Sequence, residues 1–210
     1  MLLLIIGGTV KGVEEKTCSN DECAIKLTYF DVKARAEPIR IALRQAKLEF
    51  IDERLTYESW IGGIKAATPS GSLPVLSMNG KTYSQSVAIA RWAAKQSNLY
   101  PRETLAGLTV DEVMDITQEV LTKAPSASDP TEKERLRKEY ASGFMKNKMN
   151  FLESKLKQTE GPFVLGSEIS IADLVLYYFL MDMLRSGQFD FVDSNYIDAF
   201  PELAALETAV

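Results

Sequence analysis

Two neighbouring patterns in the segment 70–92 are suited to hold a small peptide that carries a carboxylate. Leu73-Pro74 opens a predicted strand, and a cis bond there would leave the backbone of Leu73 free to pair with an extended, peptide-like ligand. Ser86 stands where an N-cap would stand, before an apolar-periodic run that begins at Val87. Because a helix N-terminus offers free N–H groups and positive potential, it attracts carboxylates. The segment therefore predicts a receptor for a small acidic peptide.

The elements that must position these residues alternate between strands and helices in the first half of the chain. Strand patterns cover 26–30, 49–55, 75–78 and 81–83, and helix patterns cover 36–48, 57–67 and 86–97. This order is typical of a four-stranded mixed sheet with helices on its faces, which is the thioredoxin-type arrangement.

The second half of the chain is helical in pattern after a linker at 99–105. Helix patterns cover 109–123, 131–157 and 171–184, and Pro201 opens a last short one. We therefore expect an α/β thioredoxin-like domain at residues 25–99 and an all-α domain at residues 106–210.

Residues 1–24 are expected to be a poorly ordered N-terminal extension. The apolar run Leu2 to Ile6 is too short for a membrane span and for the core of a typical secretory signal. A weak targeting sequence is the alternative for this segment, and the rest of the chain offers no transmembrane candidate.

The amino-acid composition excludes several classes of partner and catalytic site. The 210 residues are 46% hydrophobic and 25% charged, as in an ordinary soluble protein with a real core. The net charge of −5 argues against nucleic acid as the main partner, because phosphate binding needs a basic face. The chain has no histidine, which excludes histidine-based triads and the usual histidine metal sites, so we expect no metal.

Cys18 and Cys23 are the only cysteines. Their spacing matches neither a CxxC redox pair nor a zinc knuckle by itself, so a disulfide and two incidental thiols both stay open. A body without cysteines suits a reducing compartment, and we expect a cytoplasmic location.

Five motifs in order along the chain resemble those of the cytosolic glutathione transferases, most closely the sigma class. They are LTYF at 27–30, RAEPIR at 35–40, LPVL at 73–76, QSVAIAR at 85–91 and SIAD at 170–173. The resemblance implies a detoxification enzyme that activates the thiol of glutathione, its co-substrate, for attack on small hydrophobic electrophiles. Hydroperoxide reduction and prostanoid isomerisation are further branches of that chemistry. A non-catalytic ligand-binding or structural protein of the same fold is the alternative.

The resemblance assigns catalysis to Tyr29 and Arg35. Tyr29 matches the tyrosine whose hydroxyl donates to the glutathione sulfur, and Arg35 matches an arginine that supports the anion by its charge. A hydrogen bond to a charged acceptor is worth roughly 1.5–3 kcal/mol, which lowers a thiol pKa by about one to two units. The alternatives are an ordinary strand aromatic for Tyr29 and a surface helix cap for Arg35.

The resemblance also implies contacts to the tripeptide. Leu73 would pair through its backbone with the cysteinyl part, beside cis-Pro74. Gln85 and Ser86 would hold the γ-glutamyl end, although Ser86 could serve as an N-cap alone. Ser72 stands where the family often has a lysine, which removes one charge near glutathione.

Three further residues complete the implied glutathione site. Trp60 and Lys65 match residues that hold the glycyl carboxylate, but Trp60 could instead be a packing residue. One extra residue between Trp60 and Pro69 weakens the match of Lys65. Family members are homodimers in which an acidic residue of one subunit approaches the γ-glutamyl amine in the other, and Glu119 matches that residue or is an ordinary surface charge.

The sequence indicates the walls of the electrophile pocket less clearly than the rest of the site. By position we expect Phe30, Val32, Ala34 and Leu121 to form them. Members of the family usually continue beyond the position of Val210 with a segment that often walls this site.

Overall fold

The structure is a computed structural model that describes residues 24–210. Cys18, Cys23 and the expected extension up to residue 23 lie outside the described residues. None of the helices within 24–210 is long and apolar enough to cross a bilayer.

A four-stranded mixed sheet forms the first half of the described chain. Its strands are β1 (Ile25–Phe30), β2 (Phe50–Leu55), β3 (Val75–Met78) and β4 (Lys81–Ser84). They lie in the order β2-β1-β3-β4, with β1 parallel to β2 and antiparallel to β3. Because β1 has neighbours on both sides, its centre is buried. The buried stretch of the strand ends at Tyr29.

Three helical segments accompany the sheet. They are α1 (Glu37–Gln45), α2 (57–67, which includes a π-helical turn at Trp60–Ile64) and α3 (Ser86–Lys95). Pro38 lies in the first turn of α1, where its missing N–H costs nothing. Ile39, Ala42 and Leu43 on one face of α1 are fully buried in the hydrophobic core.

The second half is all helical, which confirms the expected fold class. Its helices are α4 (Thr104–Thr122), α5 (Pro130–Tyr140), α6 (Lys146–Leu156), α7 (Ile171–Leu176), α8 (Asp182–Arg185) and α9 (Pro201–Ala209). A π-helical turn at Ala141–Met145 continues α5 into α6, and another at Tyr177–Met181 continues α7 into α8. Every residue of α7 is buried, and α7 packs against α1, α3 and α4. This helix therefore joins the two halves of the core.

The largest difference from the predicted helix boundaries is at the start of the second half. Helix α4 begins at Thr104 rather than at 109, because the carboxylate of Glu103 accepts hydrogen bonds from the N–H groups of Leu105 and Ala106 at 2.9 and 2.6 Å. Glutamate is not among the preferred N-cap residues, so the sequence gives little sign of this start.

Candidate functional site

Tyr29 lies near the end of central strand β1 with only 8% of its surface exposed. The loop that leaves β1 turns back through the 3₁₀ turn Ala34–Ala36, which directs the backbone N–H and the charge of Arg35 toward the phenol oxygen. Burial raises the pKa of Tyr29, and the nearby Arg35 opposes that rise. The phenol is therefore protonated at neutral pH and able to donate a hydrogen bond.

Arg35 is half-buried between the two halves of the molecule. Burial lowers the pKa of its guanidinium, and the neighbouring Tyr29 acts in the opposite direction. An arginine keeps its charge in proteins, so Arg35 supplies a partly desolvated positive charge beside the phenol.

Arg40 holds the loop that carries Arg35, a role that the sequence analysis missed. Its side chain is fully buried and donates to the backbone oxygens of Val32 and Phe30 at 2.8 and 3.4 Å. It also forms ion pairs with Glu37 and Asp52, both at 3.0 Å. The guanidinium thus fastens the exit of β1 to helix α1 and strand β2.

Leu73-Pro74 is a cis peptide, the condition that the peptide-docking prediction required. Val75 pairs with Thr28, so the β1–β3 ladder stops just beside Tyr29. No backbone hydrogen bond joins Leu73 to another of the residues 24–210. The N–H and C=O groups of Leu73 are therefore free to meet an extended ligand next to the phenol.

Gln85 and Ser86 lie at the start of α3, on the same edge of the sheet. Ser84, just before them, pairs with Val75, the residue that follows the Leu73-Pro74 step. Gln85 has a φ of 78° and is itself the N-cap, so the N-cap position predicted for Ser86 is wrong by one residue. A non-glycine residue in such a conformation costs roughly 1–3 kcal/mol and is typical of ligand sites.

Ser86 is the first residue of α3 and only 5% exposed. Its hydroxyl forms no hydrogen bond with another described residue, and the hydroxyl oxygen is not one of the fully buried polar atoms left unpaired, so it is open to a ligand. The hydroxyl and the free N–H groups of the first turn of α3 can therefore serve an anionic ligand.

Trp60 and Lys65 lie on α2 in different environments. Trp60 is 7% exposed and packs edge-on against Phe30, with ring centroids 6.0 Å apart, while Phe30 in turn lies 5.7 Å from the ring of Tyr29. Lys65 is exposed, beyond a break at Gly63 where φ is 140°. The burial of Trp60 suits a packing role, and the contact of either residue with glutathione stays a prediction.

Ser72 and Glu119 already have partners within the chain. Ser72 is exposed, and its hydroxyl lies 2.7 Å from that of Ser70. The carboxylate of Glu119, on α4, pairs with Lys123 at 2.5 Å and Lys148 at 2.6 Å, and these contacts lower its pKa. Their roles toward glutathione also stay predictions.

A cavity of about 160 Å³ opens beside Arg35, between the two halves of the molecule. Its lining consists of Arg35, Leu121, Ala124, Arg137, Met183, Gln188 and Phe189. Leu121 is the one expected wall that takes part. Phe30, Val32 and Ala34 do not line this cavity, and Val32 is 45% exposed.

No group of three potential metal ligands of the types histidine, cysteine, aspartate and glutamate occurs among the described residues. The chemistry that these residues offer is that of a phenol donor, a nearby guanidinium and a free backbone edge. Fold and site geometry together define a class of protein in which a thioredoxin-like domain with a free backbone edge beside a buried tyrosine is joined to an all-helical domain.

Comparison with known proteins agrees with that class. The family model described as "Glutathione S-transferase, C-terminal domain" matches residues 114–210. The class-mu 28 kDa glutathione S-transferase isozyme of Schistosoma japonicum is 34% identical over 165 residues, which cover 72% of this chain and 77% of the relative. The chain belongs to the glutathione S-transferase family.

Solved structures extend the similarity to the whole fold. Prostaglandin synthase D of Nilaparvata lugens superposes with a TM-score of 0.76 at 28% identity, covering 89% of this chain and 91% of that one. Rat hPGDS complexed with a quinoline gives a TM-score of 0.73 at 25% identity and covers 89% and 90% of the two chains.

Proposed function

We propose that this chain binds glutathione as a co-substrate and transfers it to small hydrophobic electrophiles. The observation that carries the proposal is the buried, protonated phenol of Tyr29, which lies beside Arg35 and next to the unpaired backbone of Leu73. A thiol that accepts a hydrogen bond from the phenol is stabilised as a thiolate, because the donor favours the charged form.

The reaction is a nucleophilic transfer. The glutathione thiol releases its proton to solvent, and the sulfur electron pair forms a C–S bond at the electrophilic carbon. With a chloroarene, chloride leaves with the electron pair of the broken C–Cl bond. Tyr29 donates its hydrogen bond to the sulfur anion, and Arg35 adds positive charge close by.

The glutathione backbone is proposed to run along the edge between β3 and α3. Leu73 pairs with the cysteinyl part beside Pro74, while Gln85 and Ser86 receive the γ-glutamyl end. Support comes from the unpaired backbone of Leu73 and from the hydroxyl of Ser86, which forms no hydrogen bond with another described residue and is open to a ligand. Trp60 and Lys65 are assigned to the glycyl carboxylate, and Ser72 borders this end.

A homodimer is part of the proposal, and it gives Glu119 its role at the partner's γ-glutamyl amine. Leu105 and Leu108 on α4 are 71% and 65% exposed, and Tyr83 on β4 is 42% exposed. Large apolar side chains at such exposure suit an interface between copies. Sedimentation of the wild type and of Leu108→Lys tests this, with dimer expected for the first and monomer for the second.

The finer classification rests on motifs and neighbours. A sigma-like class is supported by the five sequence motifs and by likeness to structures described as prostaglandin synthases. Prostanoid isomerisation and hydroperoxide reduction are accordingly proposed as side activities. We assign glutathione binding to residues 25–99 and the helical domain to residues 106–210, in a cytoplasmic protein.

Conjugation of chlorodinitrobenzene by the purified protein, followed by absorbance, tests the function. Turnover that saturates with glutathione is the expected result. Retention on immobilised glutathione without turnover would instead support a non-catalytic carrier, and loss of both would overturn the proposal.

A further inference from the structure

We propose that the cavity beside Arg35 selects electrophiles that carry an anionic group, such as a carboxylate on a single aromatic ring, and that Arg137 is the residue that recognises it. This inference rests on the proposed function, because it names the class of the second substrate. It follows from the charges in the cavity lining.

Two guanidinium groups face the cavity from opposite halves of the molecule. Arg35 comes from the loop after β1, and Arg137 comes from α5. None of the other lining residues is charged, so no carboxylate in the lining offsets the two positive charges. An anion that enters the cavity therefore meets two cations in partly desolvated surroundings, where electrostatic attraction is stronger than in water.

Arg137 has hydrogen-bonding capacity that the described residues leave unused. Its guanidinium lies 4.9 Å from the centroid of the Phe189 ring, and its Nε is buried without a hydrogen-bond partner among residues 24–210. Buried donors are normally paired, and an arginine is suited to bind a carboxylate through two parallel hydrogen bonds. Because Arg35 is assigned to the thiolate, Arg137 is the cation left for the electrophile.

Asp190 is an acid that interacts with Arg137, but its main partner is another residue. Asp190 is half exposed and forms an ion pair with Lys133, which is the first cause of its lowered pKa, while Arg137 contributes less. Asp190 does not line the cavity. The net charge of −5 gives the whole protein no long-range attraction for anions, so local selection by Arg137 must account for any preference.

The walls and the volume indicate the rest of the ligand. Leu121, Met183 and Phe189 supply apolar walls, while polar groups make up the larger part of the lining surface. The volume of about 160 Å³ compares with the cavity of about 150 Å³ that accommodates benzene in a protein core. One substituted aromatic ring with an attached carboxylate therefore matches the site in size, polarity and charge.

The test is a calorimetric titration of the glutathione-saturated protein with dinitrobenzoate and with its methyl ester, neither of which has a leaving group. We expect the wild type to bind the benzoate about tenfold more tightly than the ester. Arg137→Met is expected to abolish that preference, while Arg137→Lys retains part of it. Arg135→Met is the matched control, because Arg135 lies on the same helix with its side chain 59% exposed and paired to Glu132.

Two results would overturn the inference: equal affinity of the wild type for both probes, or equal loss of benzoate binding in Arg137→Met and Arg135→Met. Thermal melts and retention on immobilised glutathione establish that each variant is folded. Conjugation of chlorodinitrobenzene is measured separately. If that activity is absent while the benzoate preference persists, the proposed function fails and the anion site stands.

Discussion

The guanidinium of Arg35 lies over the ring of Phe179, 5.8 Å from the ring centroid. Arg35 belongs to the loop after β1, whereas Phe179 is fully buried in the π-helical turn between α7 and α8. A separation under about 6 Å gives a favourable cation–π contact. The charge beside the Tyr29 phenol is thus positioned by packing between the two halves of the molecule, and neither half alone contains the complete site.

Replacement of Tyr29 by phenylalanine tests the proposed donor. The variant keeps the ring and its packing but removes the hydroxyl, so the thiolate loses a charge-assisted hydrogen bond. We expect kcat/KM for chlorodinitrobenzene to fall about ten- to a hundredfold and the pKa of bound glutathione to rise by about one to two units. Thiolate absorbance at varied pH measures the second quantity.

Tyr57→Phe is the control for this change, because Tyr57 is 65% exposed at the start of α2 and has no assigned role in the site or the interface. The assignment fails if Tyr29→Phe retains the wild-type rate and the wild-type thiol pKa.

Replacement of Arg40 by methionine tests the buried ion network. The change leaves Glu37 and the backbone oxygen of Val32 without their donor, although Asp52 keeps Arg54 at 2.9 Å. Breaking a buried pair costs about 3–5 kcal/mol, and we expect about 3 kcal/mol here because Asp52 retains a partner.

Urea unfolding of Arg40→Met, followed by circular dichroism, measures this loss. Arg44→Met is the matched control, since the Arg44 side chain is 58% exposed and its contact to Glu37 is 4.0 Å long. Equal stability of the two variants would contradict a structural role for Arg40.

The fold could be predicted because its signals are local. Alternation of apolar residues and the proline at 74 each act over a few residues, and the structure has the strands and helices that they predict. The start of α4 was missed because its cap is a glutamate, Glu103, rather than one of the usual short side chains.

Arg40 and Arg137 were missed because their roles depend on residues distant in sequence. Arg40 lies between Ile39 and Ala42 on the buried face of α1. A charged residue at such a position is the one sequence signal from which a buried ion pair could have been inferred. Arg137 lies in the run of mostly charged residues at 132–139, which is typical of a solvent-exposed helix face. Only the packing of α5 against the segment around Phe189 brings its guanidinium to the cavity.

High pH is expected to destabilise the folded protein through two phenols, the buried Tyr140 and the half-buried Tyr196. Tyr140 and Tyr196 donate hydrogen bonds to the backbone oxygens of Val120 and Ala141, and burial raises the pKa of each to about 12. An unfolded tyrosine ionises near pH 10. From pH 10 to about 12 the unfolded chain therefore loses protons that the folded protein keeps, and stability falls as pH rises through this window.

Denaturant unfolding at several pH values between 9 and 11.5, roughly spanning that window, measures the decline. Tyr196→Phe should show a shallower decline than the wild type, because a phenol whose pKa is raised to about 12 is gone. Tyr57→Phe serves as the control, since Tyr57 is 65% exposed and should leave the slope unchanged. A wild-type slope in Tyr196→Phe would show that this phenol does not contribute to alkaline unfolding.

The last helix depends on one buried carboxylate. Glu153 on α6 is 7% exposed and accepts hydrogen bonds from the N–H groups of Glu202 and Leu203, at 3.0 and 3.1 Å, in the first turn of α9. A negative charge there also complements the positive helix end. Glu153→Gln removes the charge and leaves one accepting oxygen in place of two, so the charge-assisted bonds become neutral ones and we expect a loss of about 1–3 kcal/mol in unfolding free energy. Glu139→Gln, on the 72% exposed side chain of Glu139, should change stability by less than about 0.5 kcal/mol. Urea titration of both variants measures these losses. Equal unfolding midpoints for the two variants would show that α9 is not stabilised by the Glu153 cap.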